Sequence, residues 1–355
     1  MKNNLAHCLK IGHLSAKLLR LLPPETAHDL AMTAMAKGLL KFLPRPYSGP
    51  MSSSFRVRVP GVGELAHPLG LAAGFDKQAL CPKAFVELGC SFLEIGTVTP
   101  LPQPGHPRPR LFRQSSQRGI INRMGFNSHG SSIVAKRLEA LQWEHERIPL
   151  GVNLGKNKNT TDERAIDDFL SGIQMFSKLG KYLVVNISSP NTPGLRGLAN
   201  RDFIDLLADQ CGAKLPQIWL KLDPDMPKAS FQKLVEKISE RGFQGIILTN
   251  THRVEKPEMG GQSGHPLAVQ STTCLEWAYE VHGGRLPMIG SGGVLSGTDV
   301  FQKLARGASA VQLYAAFIYR GPWAVVELLD ELAAEMQLRQ MATMEDVIGS
   351  HYRGG

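Results

Sequence analysis

The sequence predicts an α/β fold, a TIM (β/α)8 barrel with an N-terminal helical extension, and three observations carry that reading. Eight short, mostly apolar runs recur along the chain, most of them separated by helix-like stretches. They span about 250 residues, the usual length of such a barrel. Polar residues gather where the runs end, which is where this architecture places its chemistry. Continuous apolar runs alternating with helices read as parallel strands buried on both faces. A doubly wound open sheet is the alternative, but no GxGxxG follows the first run.

In chain order, residues 1–45 form the helical extension, 46–340 the barrel and 341–355 a C-terminal tail. Leu5, Cys8, Ile11, Leu14, Leu18 and Leu21 recur every three or four residues with basic side chains between them, which predicts an amphipathic helix. Pro23-Pro24 stops it, a second helical pattern follows from about Thr26 to Leu43, and the proline-rich "PRPYSGP" closes the segment. Lys2, Lys10, Lys17 and Arg20 break every apolar run before it reaches the roughly 18 residues of a signal or membrane span. The helical pair is either a hairpin packed on the barrel with a solvated basic face, or a basic pair lying on a membrane surface. Pattern alone favours the first.

The barrel runs are "PLGLAAGF" (68–75), "SFLEIGTVT" (91–99), "IPLGVNLG" (148–155), "YLVVNISS" (182–189), "QIWLKLDP" (217–224), "GIILTNT" (245–251), "PMIGSGG" (287–293) and "AVQLYAA" (310–316). Their ends supply Ala73, Gly74 and Lys77; Thr97 and Thr99; Asn153; Asn186 and Ser189; Lys221; Thr249 and Asn250; the turn Gly290, Gly292, Gly293; and Tyr314. A single polar strand end usually marks only the chain leaving the core. Many converging on one rim point to a site.

The rim is informative by what it omits. No His/Asp/Glu set has metal-ligand spacing, so no metal is expected, and no carboxylate pair suits glycoside cleavage. Amides, hydroxyls and two lysines remain, a set that suits a flat polar heterocycle. Glycine-rich turns after the last two runs can receive a phosphate on bare backbone N–H groups. A phosphate there, with amides around a ring, points to flavin mononucleotide (FMN).

Bulk composition agrees. The chain has 355 residues, 43% of them hydrophobic, enough for a large core. Five scattered cysteines, Cys8, Cys81, Cys90, Cys211 and Cys274, lack any disulfide or ligand spacing and fit a reducing, cytoplasmic compartment. The net charge of +9 suits an anionic ligand, nucleic acid or acidic membrane without choosing among them.

In order along the chain, "GLAAGFDK", "EIGTVTP", "NRMGFNS", "GVNLGKNK", "NISSPNTPGLR", "ILTNT", "SGHPL" and "GSGG" resemble the dihydroorotate dehydrogenases. The helical pair with "PETAH" (24–28), and serine instead of cysteine in "NISSPNTPG", resemble the membrane-associated, quinone-using class 2 enzymes. The resemblance shifts preference to the membrane reading of the helices. It implies oxidation of dihydroorotate to orotate, the fourth step of pyrimidine biosynthesis, with one FMN per chain and a quinone acceptor. It also implies a peripheral protein on the cytoplasmic face of the cell membrane, monomeric and binding no nucleic acid.

Residue roles follow from the same resemblance. Ser189 is expected as the general base. Lys77, Asn122, Arg123, Met124, Gly125, Phe126, Asn186, Asn191, Asn250 and Thr251 are expected to hold the substrate. Ala73, Lys77, Thr97, Asn153, Asn186, Lys221, Thr249, Gly264, Gly293, Tyr314 and Ala315 are expected around FMN, with His28, Arg113 and Tyr314 lining a quinone passage. From Arg108 to Arg123 the chain carries five arginines and no acid, either a solvated face or a surface for the anionic substrate or membrane. Three departures stand out: Ala315 where the family commonly has Ser or Thr, Asp223 close to Lys221, and Ser291 at an often apolar position. Rival readings are a class 1 enzyme using fumarate or NAD, a Schiff-base aldolase on Lys77 or Lys221, and a non-enzymatic basic binding protein.

Overall fold

A computed structural model describes residues 2–44, 46, 53–144, 147–192 and 194–353, the side chains of 2–5 and 216 excepted. Two helices lead, α1 (Lys2–Leu19) and α2 (Pro24–Ala36), then a hairpin of β1 (Val57–Val59) and β2 (Gly63–Leu65). The chain continues through β3 (Leu69–Leu71), α3 (Pro82–Glu87), β4 (Leu93–Val98), β5 (Leu111–Gln114), β6 (Gly119–Asn122), α4 (Ser131–Leu141), β7 (Leu150–Leu154) and α5 (Ala165–Phe176). Next come β8 (Tyr182–Asn186), α6 (Arg201–Cys211), β9 (Ile218–Leu222), α7 (Lys228–Glu240), β10 (Gly245–Leu248), β11 (His252–Val254) and β12 (Gly260–Gly264). It ends with α8 (Ala268–His282), β13 (Met288–Ser291), α9 (Gly297–Ala305), β14 (Ala310–Leu313), α10 (Ala315–Tyr319), α11 (Ala324–Leu338) and α12 (Met344–Val347).

Each of the eight apolar runs contains one strand of a closed barrel, in the order β3-β4-β7-β8-β9-β10-β13-β14 with β14 pairing back to β3. Neighbouring strands are parallel throughout. All their residues are buried, because helices cover the outside and side chains fill the inside.

A second sheet was not legible in the sequence. The excursions after β4 and β10 meet as a four-stranded antiparallel sheet, β11-β12-β6-β5, which walls one side of the barrel mouth. Its strands are three to five residues long and polar or glycine-rich, as in "GGQSG", so they carry no apolar periodicity to read.

The helical pair forms as its periodicity predicts, but the faces fall differently. Cys8, Gly12 and Ala16 are buried, and α1 lies against α10 and Trp323. Gly12 is required by that close approach, since a Cβ there would stand 2.7 Å from Trp323 Cδ1. The leucines expected on the same stripe point outward: Leu14 and Leu18 are each 56% exposed and Leu21 78%. The second helix is shorter than its pattern. It stops at Ala36, Gly38 adopts a left-handed conformation (φ 68°), and Leu39–Phe42 form a separate 3-10 turn. Of "PRPYSGP", only Pro44 and Pro46 fall within the described residues.

The arginine run from Arg108 to Arg123 is largely consumed in holding these pieces together. Arg110 donates to both carboxylate oxygens of Glu25, at 2.8–3.3 Å, and to the carbonyls of Pro104 and His106. Arg108 reaches Glu25 and Asp29, both at 3.1 Å. Arg113 donates to the carbonyls of Arg20 and Leu22, where α1 ends. Arg123 pairs with Glu258 at 2.9 Å and stacks over Phe112. Glu25 and Arg110 are both buried, so removing one strands the other. Glu25→Ala is therefore expected to cost roughly 3 kcal/mol of stability, read from denaturant unfolding. A loss under about 1 kcal/mol, the value of a surface pair, would contradict this role.

Residues 341–353 pack on the barrel. A Thr343/Asp346 capping box starts α12, Met344 and Val347 are buried, and Tyr352 stacks on Tyr279 at 3.8 Å. The five cysteines are free thiols, all buried.

Candidate active site

Strand alternation turns every second side chain into the barrel. The lower interior is filled by Tyr182 and Trp219, whose rings meet edge to face at 6.2 Å. Further along the same strands the filling becomes polar, with Asn186 and Lys221 side by side in register. Glu94, Asn153 and Gln312 join them, all buried. Glu94 organises this layer. It accepts from Asn153 Nδ2 at 2.7 Å, lies 3.5 Å from Lys221 Nζ, and accepts from Gln312 Nε2. Its charge fixes Lys221 beneath the cavity. The doubt raised by Asp223 is answered here, because Asp223 faces Arg196 at 3.7 Å and takes the backbone N–H of Asp225 at 2.8 Å.

The amides form one connected set. Thr97 Oγ1 donates to Asn153 Oδ1 at 2.5 Å, and Asn186 Nδ2 reaches that same oxygen at 3.2 Å. Asn186 Oδ1 accepts from Ser188 Oγ at 2.9 Å and Asn250 Nδ2 at 3.3 Å. Four strand ends are thereby locked before any ligand arrives.

Ser189 follows in the loop after β8, buried but lining the cavity. The N–H of Asn191 donates to Ser189 Oγ at 3.3 Å, and the hydroxyl proton has no acceptor among the described residues. Two contacts hold this loop. Asn191 Nδ2 donates to Asn122 O at 3.1 Å on the small sheet. Arg196 donates to Ser188 O at 3.3 Å, Asp225 Oδ2 at 2.7 Å and Thr251 O at 3.1 Å, joining three loops.

Lys77 enters from the loop after β3 and also lines the cavity. Its ammonium has no hydrogen-bond or ion-pair partner among the described residues. Burial, and secondarily the Arg110 charge, push its pKa down to about 8. A half-buried ammonium without a bonding partner at the mouth of a cavity can receive an anion. Burial, helped by Lys77, lowers His28 to about 3, so its imidazole is neutral at ordinary pH. The His28 ring lies 5.2 Å from Phe75, which lies 5.1 Å from Tyr314, an aromatic file from α2 to the cavity.

The cavity opens to solvent at the barrel mouth, between the strand ends and the small sheet. The residues present fit a flavin with a phosphate tail. Gln312 Oε1 is a buried acceptor with no partner among the described residues, and Lys221 and Asn186 bring donors to the same cavity. At the other end, Gly292 and Gly293 present bare backbone to the cavity. Gly293 (φ 77°) admits no side chain, since a Cβ would come 2.2 Å from Ala268 Cα. Ala315 contributes backbone only, while the Ser291 hydroxyl lines the cavity with no partner among the described residues.

Most residues expected from the sequence are therefore gathered around one cavity. Asn153 sits beneath it, bonded to Thr97. Arg123 lies outside the cavity lining, its guanidinium pairing with Glu258 and stacking over Phe112 of the small sheet. His28 and Arg113 lie outside the cavity lining, His28 on the aromatic file and Arg113 on the end of α1. The sequence reading missed Glu94, Gln312, Ser188, Arg196 and Ser263. The first two carried a signal: a carboxylate and an amide inside buried runs need partners, and each other's side chain is one.

Comparison with known proteins agrees with this architecture. Residues 55–336 match the family model for dihydroorotate dehydrogenase. The dihydroorotate dehydrogenase (quinone) of Parvibaculum lavamentivorans is 41% identical, covering 95% of this chain and 97% of its own. The mitochondrial dihydroorotate dehydrogenase (quinone) of Mus musculus is 40% identical, over 96% and 90%. The crystal structure of the DHODH of Eimeria tenella in complex with ferulenol superposes with a TM-score of 0.86 at 36% identity, over 93% of this chain and 96% of that one. With fold, rim and sequence in agreement over nearly its whole length, the chain belongs to the dihydroorotate dehydrogenase family.

Proposed function

We propose that this protein oxidises dihydroorotate to orotate in pyrimidine biosynthesis, with FMN as prosthetic group and a membrane quinone as electron acceptor. The observation that carries the reading is the Lys77 ammonium, unpaired among the described residues, on the same cavity as Ser189, whose hydroxyl proton has no acceptor among them either. One receives an anionic substrate, the other stands ready to exchange a proton. The relatives' printed names supply the quinone.

In this reading Lys77 pairs with the substrate carboxylate, and Asn122, Asn191, Asn250 and Asn186 offer donors and acceptors to its ring, with Thr251 and the backbone of Arg123 to Phe126 closing around it. Ser189 Oγ takes the proton from one of two adjacent carbons. A hydroxyl is a weak base, so its own proton must pass to a water of the solvent-connected cavity as the new one arrives. The Asn191 N–H directed at Oγ favours the more negative oxygen during that exchange. FMN, when bound, supplies the two-electron acceptor for the hydride on the neighbouring carbon. Lys221, Gln312, Asn153, Thr97, Thr249 and Ala73 hold the ring end, and Gly264, Gly293, Tyr314 and Ala315 the phosphate end. Residues 1–45 give quinone access, with His28, Arg113 and Tyr314 along the inner path.

The outward leucines support a peripheral, membrane-lying role, and the cytoplasmic face is where this reading puts it. Leu14, Leu18, Leu21 and Phe42 are exposed beside Lys17 and Lys41, an apolar surface with a basic border, and among the described residues no helix is long and apolar enough to cross a membrane. Replacing Leu14, Leu18 and Leu21 with serine is expected to weaken binding to anionic vesicles at least tenfold while leaving flavin reduction by dihydroorotate intact. Unchanged vesicle flotation would remove this surface from the account. The function itself is tested by steady-state orotate formation with a soluble quinone, fumarate or NAD as sole acceptor. Turnover with quinone alone supports the reading, and turnover with fumarate or NAD overturns the acceptor assignment.

A further inference from the structure

Lys303 of α9 takes no part in the chemistry above, yet it is buried to 1% exposure in the layer behind the glycine turn. Its ammonium donates to Ser271 Oγ at 2.7 Å and Thr272 Oγ1 at 3.3 Å, both on α8, and no carboxylate pairs with it among the described residues. Ser271 Oγ in turn donates to Gly292 O at 3.0 Å, with Ala268 O at 3.2 Å as the alternative acceptor. The Gly292 carbonyl and the Gly293 N–H belong to one peptide unit. Polarising one end of a peptide strengthens the donor at the other.

We propose that Lys303 is a positioning residue for the cofactor phosphate: through Ser271 it polarises the Gly292–Gly293 peptide, sharpening the Gly293 N–H as a donor to an anion in the turn. The anion in return offsets a buried cation that no carboxylate contacts directly among the described residues. This rests on the FMN reading and gives the phosphate end of the site a cationic support that no cavity-lining residue reveals. The charges acting on Lys303 are Asp299 and Arg306 on its own helix, and Cys274 on α8 faces it as a neutral thiol whose pKa burial raises to about 12. Arg306 is occupied with Glu276, and Asp299 accepts the N–H of Leu295 at 2.9 Å. Burial, the largest influence, brings the Lys303 pKa down to about 7, so its charge in the empty site fades as pH rises through that value. Bound phosphate favours the charged form, and flavin retention should weaken from pH 7 toward 9.

The test is flavin release from the holoprotein on dilution, followed by the return of flavin fluorescence, for protein carrying FMN and for protein exchanged into riboflavin, which lacks the phosphate. Lys303→Met is expected to speed FMN release roughly tenfold or more, the weight of one charge-assisted hydrogen bond, and to leave riboflavin release unchanged. Ser271→Ala severs the relay with little change in volume and should give a smaller loss, again for FMN alone; it carries the test if the lysine variant does not fold. The wild type should lose FMN faster at pH 9 than at pH 7, and Lys303→Met should not. Equal acceleration for FMN and riboflavin, or none in either variant, overturns the proposal. A wild-type protein that binds neither flavin overturns the FMN reading instead.

Discussion

Ser189→Ala should slow flavin reduction by dihydroorotate about 10²- to 10⁴-fold, the usual contribution of a positioned general base, while orotate still binds within a few-fold of wild type. The separation between chemistry and binding follows from geometry. Substrate affinity in this site is expected from Lys77 and the locked amides, which the variant leaves in place, whereas the Ser189 hydroxyl, whose proton has no acceptor among the described residues, is lost. Rapid-mixing absorbance reads the reduction step directly. A reduction rate within threefold of wild type would remove Ser189 from the mechanism. Ser189→Cys, with a thiol that ionises more easily, should recover part of the rate with a pH profile shifted to follow the thiol.

Lys77→Met should lower kcat/KM for dihydroorotate by roughly 30-fold to several thousand-fold, corresponding to about 2–5 kcal/mol for leaving a charged partner unpaired in a closed site. Fold stability should change little, because no ion pair or hydrogen bond to that ammonium is made among the described residues. A loss of both activity and stability would mean that Lys77 is structural. The same residue sets a pH limit. Its pKa is lowered to about 8, so the anion-binding form is fully present below that value and is lost as pH rises through it. KM for dihydroorotate should therefore climb above pH 8 in the wild type, and the climb should be absent in Lys77→Met.

The barrel was legible because burial on both faces leaves continuous apolar runs, and every run marked in the sequence contains a strand. The rim was legible for a related reason. Asn186 and Lys221 are polar residues at the ends of such runs, and the register places them next to each other. The rest depended on pairings that no local pattern encodes. Glu94 and Lys221 lie 127 positions apart, as do other members of the buried layer at comparable separations, so the sequence showed each charge without its partner. The small sheet over the mouth is built from strands too short and too rich in glycine to have a period. The periodicity of α1 gave a helix but not its buried face. Cys8, Gly12 and Ala16 took that face because the contact is close, with Trp323 leaving no room for a side chain at Gly12 and Ala16 lying near Gly321, and the leucines were left outward.

The most direct test of the whole account is the visible spectrum of the purified protein, recorded anaerobically before and after dihydroorotate and again after a soluble quinone. The account predicts a yellow protein whose flavin band bleaches with dihydroorotate and returns with quinone. A flavin band that dihydroorotate never bleaches, or a protein that neither carries nor takes up FMN, would contradict it.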